Sequence, residues 1–241
     1  MTVNNVSRDK KTIICLANSR KHNDRCVAGK IYKSGQILEW IRPISSRQGE
    51  ELSDSERRYQ NGAEPQLLDI FEFSILGPKP SGHQSENFLI SGPRQFRKIG
   101  TLSPSELLKS VDKPVNLWIM GHQSKTYGKN DLVPPLRISE VENSLYLINP
   151  HKFSVQIVSS SFGRQTRGIF TYLGAEYNLR ITDPVFEYTY HSKTDGEYAI
   201  HDVLLTVSLA HDLHTVSKSP QSTGYYKVIA GVIDISSLGK K

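Results

Sequence analysis

Five cations in two short runs raise the first chemical question. Asn18-Ser19-Arg20-Lys21, with Arg25 close behind, breaks the apolar run Ile14-Cys15-Leu16-Ala17 before Cys26-Val27-Ala28-Gly29 resumes it. In the second half Phe162-Gly163-Arg164-Gln165-Thr166-Arg167-Gly168 precedes Phe170 and Tyr172. Guanidinium groups hold two phosphate oxygens at once, and Asn and Ser donate to phosphates or base edges. Cations interleaved with aromatic rings on one strand face suit a single nucleic-acid strand, phosphates on the charges and bases on the rings. The competing readings are a solvated hairpin turn for the first run and an exposed hairpin with inward-turned aromatics for the second. The residues alone leave both open.

Trp40-Ile41-Arg42-Pro43 sets an indole and a guanidinium two residues apart, on one face if the segment is a strand. Trp40 reads best as packed in a core, with Arg42 either covering its edge or free to meet a ligand. His83-Gln84-Ser85-Glu86-Asn87 follows Pro80-Ser81-Gly82, and Gly-His-Gln-Ser recurs at Gly121-His122-Gln123-Ser124, ahead of Lys125. Both read as polar loops at a barrel rim, which makes Trp40, His83, Gln84 and Asn87 a candidate pocket. No nucleophile or carboxylate partner for these histidines is identifiable, so no catalytic residue is assigned. His201-Asp202 and His211-Asp212-Leu213-His214 carry metal-ligand types. The apolar run between them would hold His201 and His211 roughly 30 Å apart if extended, and no metal site is assigned. Phosphate-cradling, dinucleotide, nucleophile-elbow and paired-cysteine patterns are absent, and no cofactor is expected.

The elements that must position these residues read as strands. Thr12–Ser19, two pieces around the turn Ser34-Gly35, and Gln66–Leu76 are β-rich in the first half. Leu145–Pro150, Phe153–Ser161, Arg167–Pro184, Asp202–Ala210 and Tyr225–Ser236 follow in the second. Ser103, Pro104 and Glu106 form a capping box for a helix of two to three turns, and Ser53–Tyr59 suggests a short helical piece. Residues 121–144, rich in Gly, Pro and polar types, make the best boundary. A strand, a basic turn and a strand recur in the second half as a loose echo of the first.

At 241 residues the chain suits one large β domain or two small ones. Thirty Lys and Arg against 24 Asp and Glu leave a net charge of +6, a moderate excess that suits a polyanion. Two cysteines form no disulfide framework and read as buried free thiols. No run reaches the roughly 18 to 20 apolar residues of a membrane helix, and Met1–Lys11 lacks a signal-like stretch. A cytoplasmic location without a membrane partner is expected.

The run Cys15-Leu16-Ala17-Asn18-Ser19-Arg20-Lys21, then Arg25-Cys26 to Gly29, Trp40-Ile41-Arg42-Pro43 and His83-Gln84-Ser85-Glu86-Asn87, resembles the dual OB-containing domain family. The tail segments Ser144–Val155 and Tyr225–Ile235 resemble its second half. The resemblance implies a mainly β fold of two tandem small OB-like barrels with one or two short helices. It also implies a bacterial, defence-associated and nucleic-acid-linked role, and gives no catalytic residues to carry over. OB barrels have five strands and bind oligonucleotides on loops and an open face, and the helix at Ser103–Val111 would lie between the third and fourth strands. The expected division is 1–135 and 136–241. The expected function is a non-catalytic nucleic-acid-binding accessory or sensor subunit of an anti-phage system, working with a larger effector protein of the same operon. Asn18, Ser19, Arg20, Lys21, Arg25, Arg42, Arg164, Arg167 and Tyr172 would contact the nucleic acid. The alternatives are a protein-docking module and a receptor or enzyme for a small nucleotide or modified base.

Overall fold

Fourteen strands and three short helices follow one another in the computed structural model, which describes residues 9–21, 24–94, 96–124, 127–160, 163–214 and 223–236. Met1–Arg8, Lys125, Ser161 and Phe162, named above, lie outside the described residues.

The first sheet holds β1 (Asp9–Lys21), β2 (Asp24–Lys33), β3 (Gln36–Ile44), β4 (Asp69–Pro78), β5 (Asn87–Ile90) and β6 (Arg97–Thr101). Its order is β1-β2-β3-β5-β4-β6, and a further β1–β4 pairing closes the first five strands into a barrel. The β3–β5 pair is parallel and the other barrel pairs are antiparallel. Ser34 and Gly35, both at positive φ (52 and 78°), make the tight β2–β3 turn. Ile13, Cys15, Val27, Ile41, Phe71 and Phe73 fill the barrel interior.

The second sheet repeats the circuit with one break. Its strands are β7 (Leu132–Val133), β8 (Leu145–Ile148), β9 (Lys152–Ser160), β10 (Gly163–Tyr172), β11 (Ala175–Ile181), β12 (Gly196–Ile200), β13 (Val203–Leu209) and β14 (Tyr225–Asp234). The order is β12-β9-β10-β11-β14-β13-β8, with β11–β14 parallel and β7 paired to β14. In the first barrel β1 alone pairs with β4 through its first half and with β2 through its second. Here β8 pairs with β13 and β9 with β10, so together they do the work of β1. Pro150, which lacks an N–H for the ladder, sits in the break between them. Side chains from β8, β9, β10, β11, β13 and β14 meet in one core around Phe170, Tyr177 and Ile229.

The helix between third and fourth strands is α1 (Asp54–Arg57) in the first circuit and α3 (Pro184–Thr189) in the second. The expected placement of the Ser103 helix in that slot is therefore corrected. Its capping box is present, but α2 (Pro104–Leu107) follows β6, and Leu107 leaves the first sheet to pack where the two sheets meet.

That meeting explains the unbroken burial of Ile13–Ser19, which an alternating strand with one wet face would not show. Ile13 and Cys15 face the barrel interior, while Ile14 and Leu16 pack on Leu147, Leu204 and Ile233 of the second sheet. Ala17 and Ala28 meet Leu145 and Ala230 beside them. A Cβ at Gly231 would stand 2.5 Å from the Leu16 carbonyl oxygen, so glycine permits this close crossing of β1 and β14. Full burial of the five aliphatic side chains Ile14, Leu16, Leu147, Leu204 and Ile233 is worth on the order of 10 kcal/mol. The sheets are thus joined by a core of their own.

Candidate nucleic-acid interface

The β1 end and the β11 end are bound directly. The Arg20 amide donates to the Thr182 carbonyl at 2.8 Å, and Arg20 pairs with Glu187 of α3 at 3.0 Å. Arg20 from the first barrel and Arg180 from the second line one depression of about 240 Å³, with Ile181, Thr182 and Glu187. Burial pushes the Glu187 carboxyl up, against the pull of Arg20 and Arg180.

The local sequence builds α3 to serve this end. Asp183 caps it by accepting from the Val185 and Phe186 amides, both at 3.1 Å, and Pro184 supplies the first turn. Phe186 and Tyr190 lean on the second core. Tyr188 is left 78% exposed and stacks on His191, ring centroids 6.1 Å apart. Arg164, at the start of β10, donates to the Lys193 carbonyl and pairs with Asp195 at 3.3 Å. Lys193 lies over the Tyr198 ring at 5.6 Å.

Of the residues expected to bind, Arg20, Lys21, Arg25 and Arg164 stand at this end or beside it. Lys21 donates to the Gly49 carbonyl at 2.8 Å and pairs with Asp212 at 3.5 Å. Arg25 faces Glu64 at 3.8 Å, its Nε without an acceptor. Exposed pairs are worth about 0–1 kcal/mol, and with Arg20 50% exposed but Lys21 and Arg25 only 21% exposed, a phosphate displaces the carboxylate most readily at Arg20.

The other five are turned inward, and that part of the expectation is corrected. Asn18 donates from Nδ2 to the Pro65 carbonyl at 2.8 Å, and Ser19 lies buried against the Cys26 carbonyl. Arg42, 5% exposed, pairs with Glu86 at 2.9 Å and donates to Ser144 Oγ at 2.8 Å across the two sheets. Arg167, equally buried, forks onto Asn178 and faces Asp131 at 3.6 Å. Tyr172 points into the second core with Phe170 and donates to the Pro114 carbonyl at 2.9 Å. A guanidinium withdrawn from water and already paired cannot meet a phosphate without leaving a buried charge bare.

The candidate pocket divides. His83, Gln84 and Asn87 stand together, whereas Trp40 lies apart, half-buried, donating to Asp112 at 2.9 Å with Lys30 over its ring. Gln84 lines a cleft of about 170 Å³ between the barrels, with Lys21, Cys26, Arg42 and His211. Ligand pockets run from about 300 Å³, so this cleft is small. Above it a seam closes: Ser81 Oγ meets His211 Nε2, His83 Nε2 donates to the Ala210 carbonyl, and Ser85 donates to the Glu142 carbonyl, each at 3.0 Å. His211 Nδ1 faces Asp212 Oδ1 at 3.3 Å, so Ser81, His211 and Asp212 share the connectivity of a hydrolase relay. Three alternating loop residues all bonding to the segments that follow β13 and precede β8 explain it better as docking. Burial pushes His83 below the usual imidazole range. The second Gly-His-Gln-Ser, by contrast, lies in an exposed loop whose Ser124 is held by Asp131.

Among the described residues no group of three or more His, Cys, Asp or Glu could hold a metal ion, and no helix is long and apolar enough to cross a membrane. Both cysteines are free, Cys15 buried and Cys26 half-buried. Sequence reasoning missed Arg180, Tyr188, His191 and Lys193. The signal was present in Phe186–Tyr198, where aromatic and basic residues interleave as they do after Gly163.

Comparison with known proteins agrees with this architecture. No curated protein and no solved structure matches the chain. The family model described as the dual OB-containing domain matches residues 11–232, both circuits and the crossing between them, and the chain belongs to that family.

Proposed function

We propose that the chain binds a nucleic-acid strand, without reacting with it, across the end where its two barrels meet. The observation that carries this reading is the convergence of Arg20 and Arg180, one from each barrel, on a single depression. Tyr188 and His191 would stack bases while Arg20, Lys21, Arg25, Arg164, Arg180 and Lys193 meet phosphates. Residue 135 is the working boundary between the barrels: β1 to β6 precede it, and of the second sheet only β7 does. In the setting that the family resemblance implies, a bacterial anti-phage system in the cytoplasm, such a module would hold or sense nucleic acid for a larger effector protein.

The test is fluorescence anisotropy with labelled single-stranded DNA, single-stranded RNA and duplex DNA. The proposal expects a single strand to bind most tightly, and Tyr188→Ala to weaken it about 5- to 150-fold, the worth of one stacked base. No binding of any probe at low salt, or an unaffected Tyr188→Ala, would favour the protein-docking alternative.

A further inference from the structure

We propose that a second, separate site, in the pocket formed by residues 116–120 and 137–146, accepts one planar nucleobase. The pocket has a volume of about 720 Å³ and is lined by Asn116, Trp118, Met120, Arg137, Glu142 and Tyr146, among others. That volume falls in the roughly 300–1,000 Å³ range of small-molecule sites.

Its backbone is strained and heavily restrained. Trp118 adopts a left-handed conformation with φ of 61°, which a bulky side chain rarely takes up. Four anchors hold the segment there. The Leu117 amide donates to Tyr177 Oη at 3.4 Å and Trp118 Nε1 donates to the Asn143 carbonyl at 2.8 Å. The Gly121 amide donates to Asn130 Oδ1 at 2.7 Å. Lys227, buried in the second barrel, donates from Nζ to the Ile119 carbonyl. A glycine at position 118 would meet the backbone geometry without strain, and a buried lysine is a costly way to hold a loop. Strain kept in this way is typical of ligand clamps.

What the restraint secures is an indole against a phenol. The Trp118 and Tyr146 rings lie 5.0 Å apart at 34°, and both line the pocket. Asn143 holds both rings, accepting from Trp118 Nε1 with its carbonyl oxygens and bonding Tyr146 through its side chain. Asn116 makes no hydrogen bond among the described residues, so its carboxamide offers a donor and an acceptor side by side. That is the group that reads a base edge bidentately. Arg137 is forked onto Glu140 at 2.7 and 2.6 Å, and Glu142 adds a second carboxylate. Two acids against one engaged cation disfavour phosphate, so the base would enter with any phosphate held outward. This separates the pocket from the cationic end, and the proposal does not depend on that reading.

The experiment titrates the full chain with adenosine, cytidine, guanosine and uridine, read by tryptophan fluorescence and by saturation-transfer NMR. At least one nucleoside is expected to give a saturable response, with its 5′-monophosphate binding no tighter. Asn116→Ala, at a half-buried side chain that bonds to nothing, should keep the wild-type melting temperature and weaken binding at least fivefold. A single-stranded oligonucleotide competing for the nucleoside response would identify the base as part of a strand, and its failure to compete would identify a free nucleoside. The proposal is overturned if no nucleoside saturates, if Asn116→Ala binds as the wild type does, or if neutral hexoses give the response instead. Because nucleosides carry no phosphate, their failure to bind leaves the cationic end untouched.

Discussion

Replacing Glu86 by glutamine removes the counter-charge from a guanidinium that pairs with no other carboxylate among the described residues. Arg42 and Glu86 side chains are 6 and 5% exposed, 2.9 Å apart, and bridged by Ser144. At that distance and an effective dielectric of 20 their attraction is about 6 kcal/mol. Each ion gives up several kcal/mol of hydration when buried, so the intact pair sits near break-even. The single substitution does not, because it leaves Arg42 buried and bare. Glu86→Gln is therefore expected to destabilise the chain by about 3–5 kcal/mol in urea unfolding at pH 7. Arg42→Met with Glu86→Leu removes both charges and should lie within about 1 kcal/mol of the wild type. The double mutant should therefore be more stable than either Arg42→Met or Glu86→Leu alone. Arg42→Met should also leave nucleic-acid affinity unchanged, since the side chain has no route to a phosphate. A loss under about 1 kcal/mol for Glu86→Gln, or a double mutant as unstable as the sum of its parts, would refute the structural role given to Arg42.

Three further outcomes are expected. Gly231→Ala sets a methyl 2.5 Å from the Leu16 carbonyl oxygen, and a calorimetric melt should show a loss of at least 1–3 kcal/mol, about the cost of overpacking; an unchanged melting temperature would mean the β1–β14 crossing is looser than described. Tyr172→Phe takes the hydroxyl from the Pro114 carbonyl and should cost about 1 kcal/mol of stability with no change in strand affinity, as checked by anisotropy. Lys227 is held at a pKa of about 7 by burial, well below its ordinary 10.5, with Asp131 pulling the other way. Between those values the unfolded chain binds more protons than the folded one, so stability should rise with pH from 7 towards 10 by at most about 1.4 kcal/mol per unit. Below pH 7 the contribution levels off, and Lys227→Met should lose the slope.

Many of the strand positions, though not their order in the sheets, could be read from the residues. The Ser34-Gly35 turn, the Ser103 capping box, the piece at Asp54–Arg57 and the apolar runs of β1, β4, β9, β13 and β14 all correspond to observed elements. Short strands such as β5, β6 and β12 were not legible, because four or five residues carry little periodicity. The α3 helix was announced by Asp183-Pro184 and passed over within a strand-rich context. For the site, residue type gave the cations but not their direction. Arg20 and Arg42 are equally basic in the sequence, and only the packing of the second sheet on β1, β2 and β3 decides which one meets water. Burial of Arg167 similarly depends on Asp131, thirty-six positions away, brought in by the segment that carries β7.

The most direct test of the central claim is the salt dependence of strand binding by the wild type and by Arg20→Glu with Arg180→Glu. Six cations at the joined end would give a slope of log K against log salt of up to about −4, and losing two of them should reduce it by roughly 1.4. The account predicts a steep wild-type slope, and in the double variant a weaker affinity with a shallower one. A salt-independent wild type, or a variant with the same slope and affinity, would contradict it.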